Sequence, residues 1–148
     1  MSYLEEIKAL SPFAGQTEEL KPLESEEIEA LYAAAYGLYE GGNFPKAAGL
    51  FTHLILNDPF QSRFWKGLAS SHQQERQFEA ALHAWAILSL LENHQPDAHF
   101  HAAECLLSDG KEEDALKALQ LAKTHCSESH HLASPISTLE QRIGSDGH

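Results

Sequence analysis

The chain has 148 residues, enough for about one domain with a real core, and 43% of them are hydrophobic, so it is globular rather than disordered. Its 22 acidic and 10 basic residues give a formal charge of -12 at pH 7. Without a clustered Lys/Arg stripe such a surface repels phosphate backbones, and no nucleic-acid partner is expected.

No run of about 18 apolar residues occurs, so no membrane span and no direct membrane insertion are expected. The first residues, MSYLEEIKAL, carry neither a basic leader nor a long apolar core, which predicts no signal peptide and a cytoplasmic location. Cys105 and Cys126 form no close pair in the sequence and read as free thiols rather than a disulfide framework.

In chain order, Leu4, Ile7 and Leu10 share one side of a short N-terminal helical segment that is stopped at Ser11-Pro12 and is too short to stand alone. Ser25 is the expected N-cap of a helix from about Glu26 to Glu40, with acidic residues suiting its dipole and Gly41-Gly42 ending it. Asn43 then caps a helix with Pro45 in its first turn, which stops at Asn57-Asp58-Pro59. A second pair follows, from Gln61 or Ser62 to about Glu75 and from Phe78 to about Glu92. His94-Gln95-Pro96 breaks the pattern, with Pro96 suited to a first helical position, and a third pair spans about Asp97 to Ser108 and Glu112 to His125. After a polar loop, Ser134-Pro135 opens a last helix to about Arg142, followed by a frayed tail.

The stretch from Ser62 to Leu91 sets the pattern for its neighbours. A step of 34 residues back carries Ala69 to Ala35, Ala81 to Ala47, Phe78 to Phe44 and Trp85 to Phe51, and a step forward carries the two alanines to Ala103 and Ala115. That is the tetratricopeptide (TPR) period. The predicted fold is therefore all-α: three tandem TPR helix pairs at about 28–61, 62–95 and 96–125, forming a concave superhelix. An N-terminal segment, 1–24, precedes them. Residues 126–148 supply a loop, a C-terminal capping helix that covers the last open apolar face, and a tail.

Within each pair the alanines mark close helix crossings, where a larger group would cost roughly 1 to 3 kcal/mol in overpacking. Leu31, Trp65, Leu38, Leu106, Phe51, Trp85 and Leu119 read as packing between layers. His99 and His72 stand at positions that hold Leu or Trp in other repeats and read as packed rings. Positions spaced 3, 4 and 3 along the first helix of each pair share another side. They are Glu29, Tyr32, Tyr36 and Tyr39, then Arg63, Lys66, Ser70 and Gln73, then Asp97, Phe100, Glu104 and Leu107. None of them is needed to pack the pairs. A stripe of three tyrosines facing solvent implies that something covers it, either terminal segments of the chain or a partner.

Chemistry finds little support. His99 and His101 are two apart on a helix and point to different sides, and His125, Cys126, His130 and His131 lack a recognised zinc spacing, so no metal and no cofactor are expected. No nucleophile elbow, phosphate loop or dinucleotide fingerprint occurs, and Cys105 in AAECLL reads as a small buried hydrophobe rather than a thiol nucleophile served by His99 or His101. No enzymatic activity is expected.

From about Leu23 to Lys123 the chain resembles the class II chaperones of bacterial type III secretion, which escort translocator proteins. The resemblance lies in LYAAAYGLYEGGNFPKAAGLF, in DPFQSRFWKGLASSHQQERQFEAALHAW and most specifically in FHAAECLLSDGKEEDAL. It implies a cytosolic holdase whose groove takes an extended apolar segment of a secreted translocator. Tyr32, Tyr36 and Tyr39 would form the pockets at the first end, Lys66, Ser70 and Gln73 the floor, and Phe100, Glu104 and Leu107 the far end, with Arg63 on the same face. It also implies a homodimer through the N-terminal region, the part that matches least.

Two other readings remain open from sequence. One is a chaperone for a secreted effector or another export substrate. The other is a general TPR adaptor gripping an acidic tail, which needs converging cations where this chain has Tyr32 and Tyr36 and only Arg63 and Lys66 are basic.

Overall fold

In the computed structural model the described residues are 22–146, and all regular structure among them is helical. The helices are α1 (Ser25–Glu40), α2 (Phe44–Asn57), α3 (Ser62–Gln74), α4 (Phe78–Leu91), α5 (Asp97–Ser108), α6 (Glu112–Thr124) and α7 (Ala133–Asp146). The expected N-terminal helical segment and its dimer role lie outside the described residues, apart from the few positions before α1. No helix among the described residues is long and apolar enough to cross a membrane.

Helix ends follow local chemistry, with caps shifted by one residue at α1 and α5, while α7 runs to Asp146, past the expected end at about Arg142 and into the expected tail. Glu24 rather than Ser25 is the N-cap of α1, and its backbone N–H donates to the Glu27 carboxylate at 3.5 Å, one half of a capping box. Pro96 is the N-cap of α5 rather than its first residue. The Asn43 side chain accepts from the Lys46 N–H at 3.4 Å, as expected of the cap before Pro45.

The three turns inside the helix pairs are closed identically. In the first, the Asn43 N–H donates to the Leu38 carbonyl (2.8 Å) and the Gly42 N–H to Tyr39 (3.0 Å). Gln77 to His72 (2.9 Å) with Arg76 to Gln73 (3.0 Å), and Lys111 to Leu106 (2.8 Å) with Gly110 to Leu107 (3.1 Å), repeat it. Each is a Schellman closure, which needs a left-handed residue at its centre. Gly42 and Gly110 meet this with φ of 84° and 78°, and Arg76 does so at 60°.

The chain divides into two compact units, with the boundary between Gln77 and Phe78. In the first, α2 packs on α1 and on α3, and α1 also touches α3. Its core holds Ala35, Ala47, Phe51, Leu54, Ile55, Phe64, Trp65 and Ala69. The Trp65 indole N–H is satisfied by the Pro59 carbonyl at 2.7 Å.

In the second unit, α4, α5, α6 and α7 pack in sequence. Ala103, Ala115 and Leu119 are fully buried, and Leu132, Ile136, Leu139 and Ile143 close over them, so α7 supplies the apolar cover expected of a capping helix. All six alanines of the 34-residue pattern are fully buried, as close crossings require.

Candidate functional site

The first unit contains a cleft of about 220 Å³ lined by Tyr32, Tyr36 and Tyr39 from α1, Phe51 from α2, and Arg63, Lys66, Gly67 and Ser70 from α3. Six of these are on the face read from spacing. The helix period brings the α1 tyrosines into a ladder, with ring centroids 6.2 Å apart for Tyr32 and Tyr36 and 6.4 Å for Tyr36 and Tyr39. Tyr32 is anchored at its base against Phe51 (6.1 Å, edge-on) and Phe64 (6.0 Å), and Tyr39 against Phe44 (5.5 Å). Tyr36, the middle rung, remains 49% exposed.

Arg63 forms the opposite rim. Its guanidinium binds the Glu29 carboxylate in bidentate fashion, at 3.0 and 2.5 Å, and lies 4.6 Å from the Tyr32 ring centroid and 5.0 Å from that of Phe64. The hydrogen bond from Arg63 holds the Glu29 carboxyl below its usual range. Lys66, one turn on, makes no ion pair among the described residues.

Two residues of this cleft were not assigned to it from sequence. Phe51 read only as layer packing, and it is indeed 1% exposed, yet it also forms the cleft floor. Gly67 offers no side chain to a periodicity argument. The Phe51 ring occupies the space beside it, so that a Cβ on Gly67 would fall 2.3 Å from a ring carbon. A glycine inside a good amphipathic helix was the signal that could have revealed this approach. Gln73 does not line the cleft.

The remaining residues of that face lie in the second unit. Glu104 and Leu107 are half-buried, with Glu104 bonded to His101 Nδ1 at 2.7 Å. Phe100 was expected on an open face and unneeded for packing; instead it is 8% exposed and belongs to the core shared by α5, α6 and α7. Beside it His101 stacks on Trp85 with centroids 4.7 Å apart. Phe51 and Gly67 step forward by 34 to Trp85 and His101, so in this repeat an imidazole stacks on the indole where the earlier repeat sets a glycine against the phenyl ring.

His72 and His99 are half-buried as read, and burial pushes both below the usual histidine range, with His125 adding to the effect at His99 and Glu75 opposing it at His72. Burial pushes the Cys105 thiol up to about 12, which disarms it as a nucleophile. Cys105 and Cys126 are free thiols.

Comparison with known proteins gives this geometry a context. The tetratricopeptide repeat family matches residues 32–86 and 67–129. The chain belongs to that family. Among its relatives, the repeat chain is 34% identical over 104 residues to the low calcium response locus protein H of Yersinia pestis, an alignment covering 70% of the chain and 62% of that protein's length.

Its repeats also superimpose on the Yersinia enterocolitica type III secretion chaperone SycD, crystallised with a peptide of the translocator YopD. The TM-score is 0.80 at 27% identity, over 86% of this chain and all of that one. PcrH of Pseudomonas aeruginosa, solved with the chaperone-binding region of PopD, gives a TM-score of 0.80 at 26% identity over 87% and 99% of the two chains. The repeat chain is thus similar to translocator chaperones of type III secretion.

Proposed function

We propose that this protein is a cytoplasmic chaperone of a bacterial type III secretion system. It binds an extended apolar segment of a secreted translocator in its TPR groove and keeps that protein soluble and competent for export. The observation that carries the reading is the aromatic cleft between α1, α2 and α3. Its volume of about 220 Å³ is smaller than the roughly 300 Å³ at which pockets for drug-sized ligands begin, which suits a single apolar side chain of a peptide rather than a cofactor. Tyrosines offer such a side chain rigid apolar walls and hydroxyls for the backbone beside it.

The three repeats lie at about 28–61, 62–95 and 96–125, flanked by 1–24 and 126–148. Tyr32, Tyr36, Tyr39, Arg63, Lys66 and Ser70 contact the segment in the first unit, with Gln73 further along α3; in the second unit Glu104 and Leu107 are the candidates for contact, while Phe100 belongs to the core. The complexes of SycD and PcrH with translocator peptides favour a translocator over an effector as client. On this reading the protein acts by binding rather than by catalysis, with Cys105 disarmed by burial and the cleft walled mainly by aromatic rings. An acidic surface of net charge -12 adds repulsion between loaded complexes. Dimerisation through the N-terminal region is part of the same proposal.

Calorimetric titration of the purified protein with the chaperone-binding region of PopD and with the YopD peptide tests the reading. Saturable binding of at least one is expected, and failure of both to bind sinks it.

A further inference from the structure

The cleft is basic in an acidic protein. The whole chain has 22 acidic and 10 basic residues, yet the cleft lining contains two cations and no carboxylate. One of those cations is already engaged: Arg63 is held by Glu29 through two hydrogen bonds and lies over the Tyr32 ring. Lys66 is exposed, makes no ion pair among the described residues, and shares its helix face with Ser70 one turn further on. The field inside the cleft is therefore set by one uncompensated ammonium group beside an aromatic pocket.

We propose that Lys66 is a specificity-determining residue that reads an acidic side chain of the bound segment, adjacent to the apolar residue held by the tyrosines. This rests on the chaperone reading above and adds the charge of the ligand to it. An extended strand sends successive side chains to opposite faces. An aspartate or glutamate near the buried apolar residue can therefore lie along the rim formed by α3 while its neighbour enters the cleft. Pairing there removes the one unmatched charge of the site, and the surrounding acidic surface repels segments whose carboxylates are misplaced.

The test is selection of a random phage-displayed peptide library on the purified full chain, followed by titration of the selected peptides. The wild-type protein is expected to enrich an apolar residue with Asp or Glu close beside it. Replacing that Glu by Gln in a selected peptide weakens binding about two- to fivefold, the scale of an exposed ion pair. Lys66→Met keeps the apolar preference, loses the acidic one and binds the Glu and Gln peptides equally; Lys66→Glu turns the preference toward Lys and Arg. Because Lys66 is exposed, these variants keep the helical circular dichroism of the parent. Apolar enrichment without an acidic preference, or an acidic preference that survives in Lys66→Met, overturns this inference and leaves the chaperone reading standing. A wild-type selection with no apolar preference overturns both.

Discussion

The ring of Phe51 fills the space that a side chain on Gly67 would need, with a ring carbon 2.3 Å from where a Cβ would stand. This contact is part of the packing of α2 on α3 and also builds the floor of the aromatic cleft. The same pair of residues thus sets both the helix packing and the shape of the cleft.

Gly67→Ala should therefore force Phe51 to move and lower stability by about 1 to 3 kcal/mol, the range for overpacked cores. Urea unfolding followed by circular dichroism measures it. A variant as stable as the parent would show that the ring has somewhere else to go.

The three Schellman turns predict opposite signs for opposite substitutions. Gly110 has φ of 78° with open space around its Cα, so Gly110→Ala pays only for the left-handed backbone and loses about 1 kcal/mol. Arg76 holds the same place at 60° with a Cβ. Arg76→Gly should relieve that conformation and raise the urea midpoint, by no more than about 1 kcal/mol.

His72 has a buried Nδ1 without a hydrogen-bond partner, and burial lowers its folded pKa below the ordinary value of about 6.5. In the acid limb the unfolded chain takes up this proton first. The stability contributed by the neutral ring is present above the ordinary value and is lost as pH falls from there toward the folded one. His72→Leu, the residue at the equivalent positions Leu38 and Leu106, should stabilise the protein by about 1 kcal/mol at neutral pH. It should also flatten the loss between pH 7 and 5 in urea unfolding curves. An unchanged acid limb would place the titration on another group.

The helical architecture was legible in the sequence because its cause is periodic. Alanine at every close crossing, 34 residues apart, fixes three helix pairs, and all six positions are fully buried. The turn at Arg76 shows the limit of composition: the backbone is left-handed where neighbouring repeats use glycine, and only the repeat register, not the residue, points to it.

The cleft was half legible. Spacing along α1 and α3 places Tyr32, Tyr36, Tyr39, Arg63, Lys66 and Ser70 on one side, because helix geometry alone decides it. Spacing cannot show which neighbour covers a face. Phe100 has the same register as Tyr32 and Lys66, but it is buried in the core of the second unit. Phe51 was hidden for the converse reason, since a residue buried on one side can still present its ring edge on the other.

The central claim is that the tyrosine cleft holds the client. Tyr36 tests it most cleanly, because it is half exposed and its loss spares the Tyr32 contacts with Phe51 and Phe64. In calorimetric titration with whichever of the PopD region or the YopD peptide binds the parent, Tyr36→Ala should weaken binding by about tenfold, the loss of one aromatic contact of roughly 1.4 kcal/mol. Its circular dichroism and urea midpoint should match the parent. Equal affinity in a fully folded Tyr36→Ala variant would contradict the account.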